Sequence, residues 1–150
     1  MRPGRREFLR SGCLACIGAS ISSLTFSSCA FTHYVTGTIE THGINILKSD
    51  FIDQKKKKTT TRKFIVVQND KLEFPIYVYR ISDNEYSAIW MQCSHQGNEL
   101  QALGDQLHCP AHGSEFDKKG NVTQGPASHN LRKFPASANG EIIFIDLSAS

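Results

Sequence analysis

Cysteine is scarce in this 150-residue chain, and no stretch of it sustains a helical hydrophobic period. There are five cysteines. Cys13 and Cys16 lie in an N-terminal leader-like stretch, Cys29 sits at its end, and Cys93 and Cys109 stand far apart from them. If the last two are ligands, no pair is left for a disulfide in the remainder of the chain, which excludes a disulfide-stapled scaffold. Long apolar runs are also missing. The uncharged stretch from Ser11 to Ser28 is broken by Ser, Thr and Gly, and falls short of the roughly 20 predominantly apolar residues that a spanning helix needs. Nor is there an excess of one charge sign. The formal net charge is +3, but Arg2, Arg5, Arg6 and Arg10 against Glu7 account for all of it. Residues 29–150 are formally neutral, so composition gives no case for nucleic-acid binding.

What is present is a series of short apolar segments separated by turn chemistry. Residues 30–42 read as a tether running into a first strand. Ile44, Ile46 and Phe51 alternate as in a half-buried strand. The run from Lys55 to Lys63 reads as a solvated hairpin tip with lysines blunting the edge; a docking patch for an acidic partner or anionic headgroups is the sharper alternative. Phe64–Val67 and Phe74–Ile81 read as buried strands, and Ser82-Asp83-Asn84 turns the second into Glu85–Met91. Glu99–Leu103 and Gln106–His108 form a tight hairpin around Gly104-Asp105. Glu115-Phe116 enters a turn at 118–121, and Leu131–Phe134 and Glu141–Asp146 complete the strands. The pattern is all-β, one domain with a core large enough to stand alone. Trp90 and Phe74 read as core, and His33, His42 and His129 as surface.

The stretch Cys93–Phe116 organises the rest. It holds Cys93-Ser94-His95-Gln96-Gly97 and Cys109-Pro110-Ala111-His112-Gly113-Ser114, with thirteen residues between His95 and Cys109. Each segment offers one thiolate and one imidazole. Two Cys and two His could hold one tetrahedral zinc, or a 2Fe–2S cluster with two Cys on one iron and two His on the other. The neighbours favour the cluster. Its sulfurs need N–H donors from tight loops, and Gly97 and Gly113 allow close backbone approach. Pro110 stiffens the second loop, and Ser114 adds a hydroxyl donor. Zinc fingers usually pair Cys with Cys and His with His, whereas here each pair is mixed.

C-x-H-x-G followed by C-P-x-H-G-S resembles the Rieske iron–sulfur family, with similar strand order over roughly residues 35 to 147. The resemblance implies stacked small antiparallel sheets, three in number, and a cluster-binding part at about 92–128 within a domain of 29–150. It implies one 2Fe–2S cluster per chain, with Cys93 and Cys109 on the inner iron, His95 and His112 on the outer iron, and Ser114 donating to a bridging sulfide. Gly125-Pro126-Ala127 resembles the family's proline-rich loop, which covers a third side of the cluster. His108 is expected to pack beside the ligands. Two ferric ions, two sulfides and two thiolates sum to zero, so an added electron costs less than at an all-Cys cluster; potentials in such proteins span about −150 to +300 mV. Imidazole ligands also make the potential fall at high pH.

Departures from the pattern narrow the reading. Quinol-oxidising Rieske subunits carry Cys at the positions of Asn98 and Ala111, joined as a disulfide, and usually Tyr where Phe116 stands. Gln96 replaces an apolar residue common near the quinone-docking tip. Fewer donors to the sulfurs imply a potential below that of those subunits.

Arg5-Arg6-Glu7-Phe8-Leu9-Arg10 resembles a twin-arginine export signal, with Gly4 where Ser or Thr is usual. Phe26-Ser27-Ser28-Cys29 resembles a lipoprotein box, with Phe where Leu is usual. Residues 1–28 are therefore expected to target a folded protein for export. Cys29 is expected to be lipidated, tethering the domain on the periplasmic side of a bacterial membrane; an uncleaved N-terminal segment is the alternative anchor. The expected function is one-electron transfer to redox protein partners or membrane oxidoreductase subunits, without enzymatic activity of its own. The alternatives are a Rieske subunit of a quinol-oxidising cytochrome bc-type complex and a structural zinc-binding module. A ring-hydroxylating oxygenase would need a further domain with its own iron, and about thirty residues after Asn121 do not build one.

Overall fold

The computed structural model describes residues 32–55 and 58–148. The leader at 1–28, Cys29 and the tip of the lysine run at 56–57 lie outside the described residues. In chain order the strands are β1 Tyr34–Thr36, β2 Thr38–Ile39, β3 Gly43–Leu47, β4 Ile52–Lys55, β5 Lys58–Thr61, β6 Phe64–Gln68, β7 Ile76–Arg80, β8 Tyr86–Trp90, β9 Gln101–Leu103, β10 Gln106–His108, β11 Glu115–Asp117, β12 Val122–Gln124, β13 Lys133–Phe134, β14 Ala136–Asn139 and β15 Ile142–Asp146. A 3-10 turn, Lys48–Phe51, joins β3 to β4, and no α-helix occurs among the described residues.

A five-stranded sheet of order β1-β6-β7-β8-β13 lies at the centre. Both of its faces are covered over β6, β7 and β8, which is why these strands read as largely continuous apolar runs instead of alternating. Val66, Tyr77 and Ile89 point to one side, where they pack with Leu100, Leu107, Phe116, Cys93 and Cys109. Ile65, Val67, Ile76, Val78 and Ala88 point to the other, where they meet Ile44, Ile46, Ile143 and Ile145. The second face is covered by the sheet β14-β15-β3-β2 and the first by the small sheet β12-β11-β10-β9. Each fully buried Ile, Leu or Phe in these layers contributes about 1.5–3 kcal/mol.

Two hydroxyls tie the small sheet to the central one. Tyr77, on β7, donates to the Gly104 carbonyl at 2.8 Å, and Tyr79 donates to Asp105 Oδ2 at 3.3 Å. Gly104 and Asp105 form the turn between β9 and β10, where Leu103 pairs with Gln106. Burial first, then the negative charge of Asp105, pushes the Tyr77 phenol far above its ordinary value, so it stays a donor.

The expected stacked antiparallel sheets are present, with one parallel pair, β1 with β6, at the edge of the central sheet. Other expectations differ: residues 30–42 are not only a tether, since 34–36 and 38–39 are strands. Phe51 is buried from the 3-10 turn, not from a strand. A fourth, two-stranded ribbon β4–β5 stands beside the three stacked sheets; its register, Lys55 opposite Lys58, makes it the expected lysine-tipped hairpin. β12 and β14 were not anticipated. Trp90 and Phe74 pack edge to face at 5.8 Å, but both are half-buried and not core; His33 is half-buried as well.

Candidate metal centre

Cys93 lies three residues beyond β8, and Cys109 directly follows β10. The two loops that start there are closed by the same backbone bonds. In the first, Cys93 N–H donates to the Asn98 carbonyl and Gly97 N–H to the Cys93 carbonyl, both at 2.8 Å. In the second, Cys109 N–H donates to the Ser114 carbonyl at 2.8 Å and Gly113 N–H to the Cys109 carbonyl at 2.9 Å. The sequence offsets are identical. The glycines close the loops at φ 74° and 75°, a left-handed conformation that costs little only without a Cβ. The histidine does not share the offset: His95 is two residues past its cysteine and His112 three.

Both sulfurs are free thiols, 2 % and 1 % exposed. Burial pushes the Cys93 thiol above its ordinary range. The backbone N–H groups of His95 and Gln96 pull it down, and the Cys109 sulfur beside it pushes it up again. A thiol so placed loses its proton readily only when a metal cation takes the proton's place on sulfur and the proton is released to solvent. N–H groups aimed at a sulfur are also what an iron–sulfur site requires of its loops.

The rings of His95 and His112 lie 5.0 Å apart, centroid to centroid, with their planes at 90°. His112 is exposed and His95 half-buried. Nδ1 of His95 is buried without a hydrogen-bond partner. Buried nitrogens of that kind are rare because they are costly, and a metal would satisfy this one. Among the described residues no three His, Cys, Asp or Glu side chains converge on one point. A structural zinc needs four donors around one ion. The four donors here form a pair of thiols and a pair of imidazoles, the division that a two-iron cluster asks for. The donor set and the orphaned nitrogen fit a 2Fe–2S cluster.

The end of β12 and the loop that follows it, residues 124–129, brace both ligand loops. Ser94 donates its hydroxyl to the His129 carbonyl, and Gln124 Nε2 donates to the Gly113 carbonyl at 3.2 Å. Ser114 is fully buried, and its oxygen accepts the Ala127 N–H at 3.0 Å. That bond leaves the hydroxyl proton of Ser114 for another acceptor. The bracing roles of Ser94 and Gln124 were not read from the sequence; a serine between two ligands and a glutamine at a strand end carry no spacing signal. Phe116 is fully buried in the same apolar cluster as the two cysteines, so no phenol donor stands there. His108 faces Glu115 across β10–β11 with 3.8 Å between Nδ1 and Oε1.

The turn after β11 is built around Asp117. Its Oδ1 accepts the N–H groups of Lys119 and Asn121 at 2.8 and 2.9 Å, and its Oδ2 accepts Asn121 Nδ2 at 2.9 Å. Burial alone would raise this carboxyl, but these donors and the charge of Lys133 hold it below the usual carboxylate range.

The family model for the Rieske [2Fe-2S] domain matches residues 47–135, more than half of the chain. The oxygenase component of dicamba O-demethylase from Stenotrophomonas maltophilia is 32% identical over 84 residues, covering 49% of this chain and 25% of that protein. The chain thus spans about a quarter of that relative's length. The crystal structure of the cyanobacterial plasma membrane Rieske protein from Synechocystis PCC 6803 shares 25% identity, covering 56% of this chain and 86% of that one, with a TM-score of 0.49. The quaternary ammonium Rieske monooxygenase CntA with L-carnitine shares 15% identity over 73% of this chain and 33% of that one, with a TM-score of 0.54, a likeness of fold. With more than half of its length matched, the chain belongs to the Rieske [2Fe-2S] family, and that domain implies a 2Fe–2S cluster.

Proposed function

We propose that this chain is a one-electron carrier tethered to a membrane, serving redox protein partners or the subunits of an oxidoreductase and transforming no substrate itself. Cys93 and Cys109 would hold the inner iron as thiolates, and His95 and His112 the outer iron as neutral imidazoles. The observation that carries this is the pairing of two identically closed loops, each bringing one buried thiol and one imidazole, with the His95 Nδ1 left unpartnered. When bound, the cluster accepts and returns one electron at a time. The protein's own work is to hold and shield it. Gly97 and Gly113 close the loops, Ser94 and Gln124 brace them, Phe116 and Leu107 exclude water behind the sulfurs, and Ser114 keeps a hydroxyl proton to donate. His112 is the exposed edge through which a partner would approach.

The tether is the lipidated Cys29, with an uncleaved N-terminal segment as the alternative, and the side is periplasmic. The twin-arginine-like and lipoprotein-like patterns of residues 5–10 and 26–29 support this. A second reading, a Rieske component serving an oxygenase, is favoured by the 32% identity to the oxygenase component of a demethylase. A quinol-oxidising role is disfavoured by Asn98 and Ala111, which offer no disulfide between the ligand loops.

Protein purified from membranes tests the assignment. Iron and acid-labile sulfide analysis, a redox titration followed by EPR, and identification of co-purifying subunits separate the readings. Co-purification with a cytochrome and reduction by quinol would overturn the carrier reading in favour of the quinol-oxidising one.

A further inference from the structure

The described chain begins beside the small sheet. The Thr32 hydroxyl donates to the Ala102 carbonyl of β9 at 3.4 Å. β1 is an edge strand of the central sheet and β9 an edge strand of the small one. Tyr34 on β1 pairs with Val66, which pairs with Tyr77, whose hydroxyl holds Gly104 next to Leu103. Tyr34 and Leu103 thus sit along the one side of the molecule where these two edges meet. They are also the two most exposed large hydrophobic side chains among the described residues, at 53% and 56%. Lys63, just before β6, and Lys118, just after β11, reach Asp105 at the adjoining turn at 3.9 and 3.7 Å, and Lys118 lies over the Tyr79 ring.

From these relations we infer that the edge bearing Tyr34 and Leu103 rests on the membrane surface, with both side chains in the interfacial layer and Lys63 and Lys118 near anionic headgroups. The inference rests on the membrane tether proposed above and gives it a geometry. Three peptide steps separate Cys29 from Thr32, a reach of at most about 11 Å when fully extended. A lipid on Cys29 would therefore hold the bilayer within that reach of Thr32, which lies at this edge. A tyrosine and a leucine suit that layer, the one by its polar tip and the other by its apolar side chain. Two lysines add attraction to an anionic leaflet, part of which Asp105 offsets. The ligand loops are then held clear of the bilayer, because β10 runs from the Gly104-Asp105 turn toward Cys109 over about 10 Å. The partner that takes the electron is thereby met from the aqueous side.

The test uses the full-length holoprotein in vesicles of phosphatidylethanolamine and phosphatidylglycerol with brominated acyl chains. Tyr34→Trp and Leu103→Trp report on the proposed edge. Ile142→Trp, on the outward face of the sheet β14-β15-β3-β2, is the control. Bromine is expected to remove about half of the added emission at the first two sites and none at Ile142→Trp. Vesicle-bound protein quenched at Ile142→Trp alone, or at none of the three, overturns the inference, and so does protein that the vesicles do not retain. The mass of the N-terminal peptide, measured on the same samples, separates the two ideas. Quenching with an unmodified Cys29 keeps the surface and removes the lipid anchor. An acylated Cys29 without quenching keeps the anchor and removes the surface.

Discussion

His95 and His112 stand with their rings perpendicular, 5.0 Å apart, although one follows its cysteine by two residues and the other by three. The backbone explains how unequal spacings converge. Both loops are closed by the same two hydrogen bonds and the same left-handed glycine, so the difference is confined to where the imidazole leaves an otherwise shared frame. One consequence concerns Gly113. A side chain there would be forced into the left-handed region, so Gly113→Ala is expected to lose about 1–2 kcal/mol of stability, read from denaturant unfolding of the holoprotein. Unchanged stability would mean that the loop frame does not depend on this residue.

Ser114 joins the second ligand loop to the loop after β12 through the Ala127 N–H. Ser114→Ala removes that acceptor and the spare hydroxyl proton together. Stability is expected to fall by about 1–3 kcal/mol for the stranded buried N–H. The midpoint potential is expected to fall as well, by about 60 mV for each 1.4 kcal/mol of lost stabilisation of the reduced form. A redox titration showing no shift would assign Ser114 to bracing alone.

Phe116 fills a buried position behind the two cysteines without a donor. Phe116→Tyr supplies a hydroxyl there. One neutral hydrogen bond to a ligand sulfur is worth about 1 kcal/mol and should raise the midpoint by about 40 mV. The unsubstituted protein is expected in the middle or lower part of the range of about −150 to +300 mV. A midpoint near the top of that range would contradict the donor argument.

The Asp117 turn carries a pH dependence. Its carboxyl titrates below the usual range in the folded chain, so the unfolded chain binds its proton first. The stabilisation is present above the ordinary carboxylate pKa of about 3.9 and is lost as pH falls through the lower folded value. Asp117→Asn is expected to be less stable than the unsubstituted protein at pH 7, with the difference shrinking below about pH 4. Thermal unfolding followed across that window checks the sign.

The sequence disclosed some of these features and hid others. The buried strands were legible because continuous runs such as Phe64–Val67 mean a sheet covered on both faces. The ligand loops were legible because cysteine and histidine have few other uses at such spacing. β1, β2, β12 and β14 were not, since each spans only two to four residues of mostly polar or small side chains and is specified by its partner strand. The parallel pairing of β1 with β6 depends on contacts between residues about thirty apart, which no local pattern records. The bracing by Ser94, Gln124 and the Ala127 N–H escaped for the same reason, being bonds between loops distant in sequence.

The central claim is that two thiols and two imidazoles share a two-iron cluster. The most direct test is metal analysis and EPR of the reduced protein, comparing the unsubstituted chain with His95→Ala and His112→Ala. Two irons and two labile sulfides per chain are predicted, with a reduced-state EPR signal that each substitution abolishes or replaces. A colourless protein holding one zinc, or a spectrum untouched by both substitutions, would contradict it.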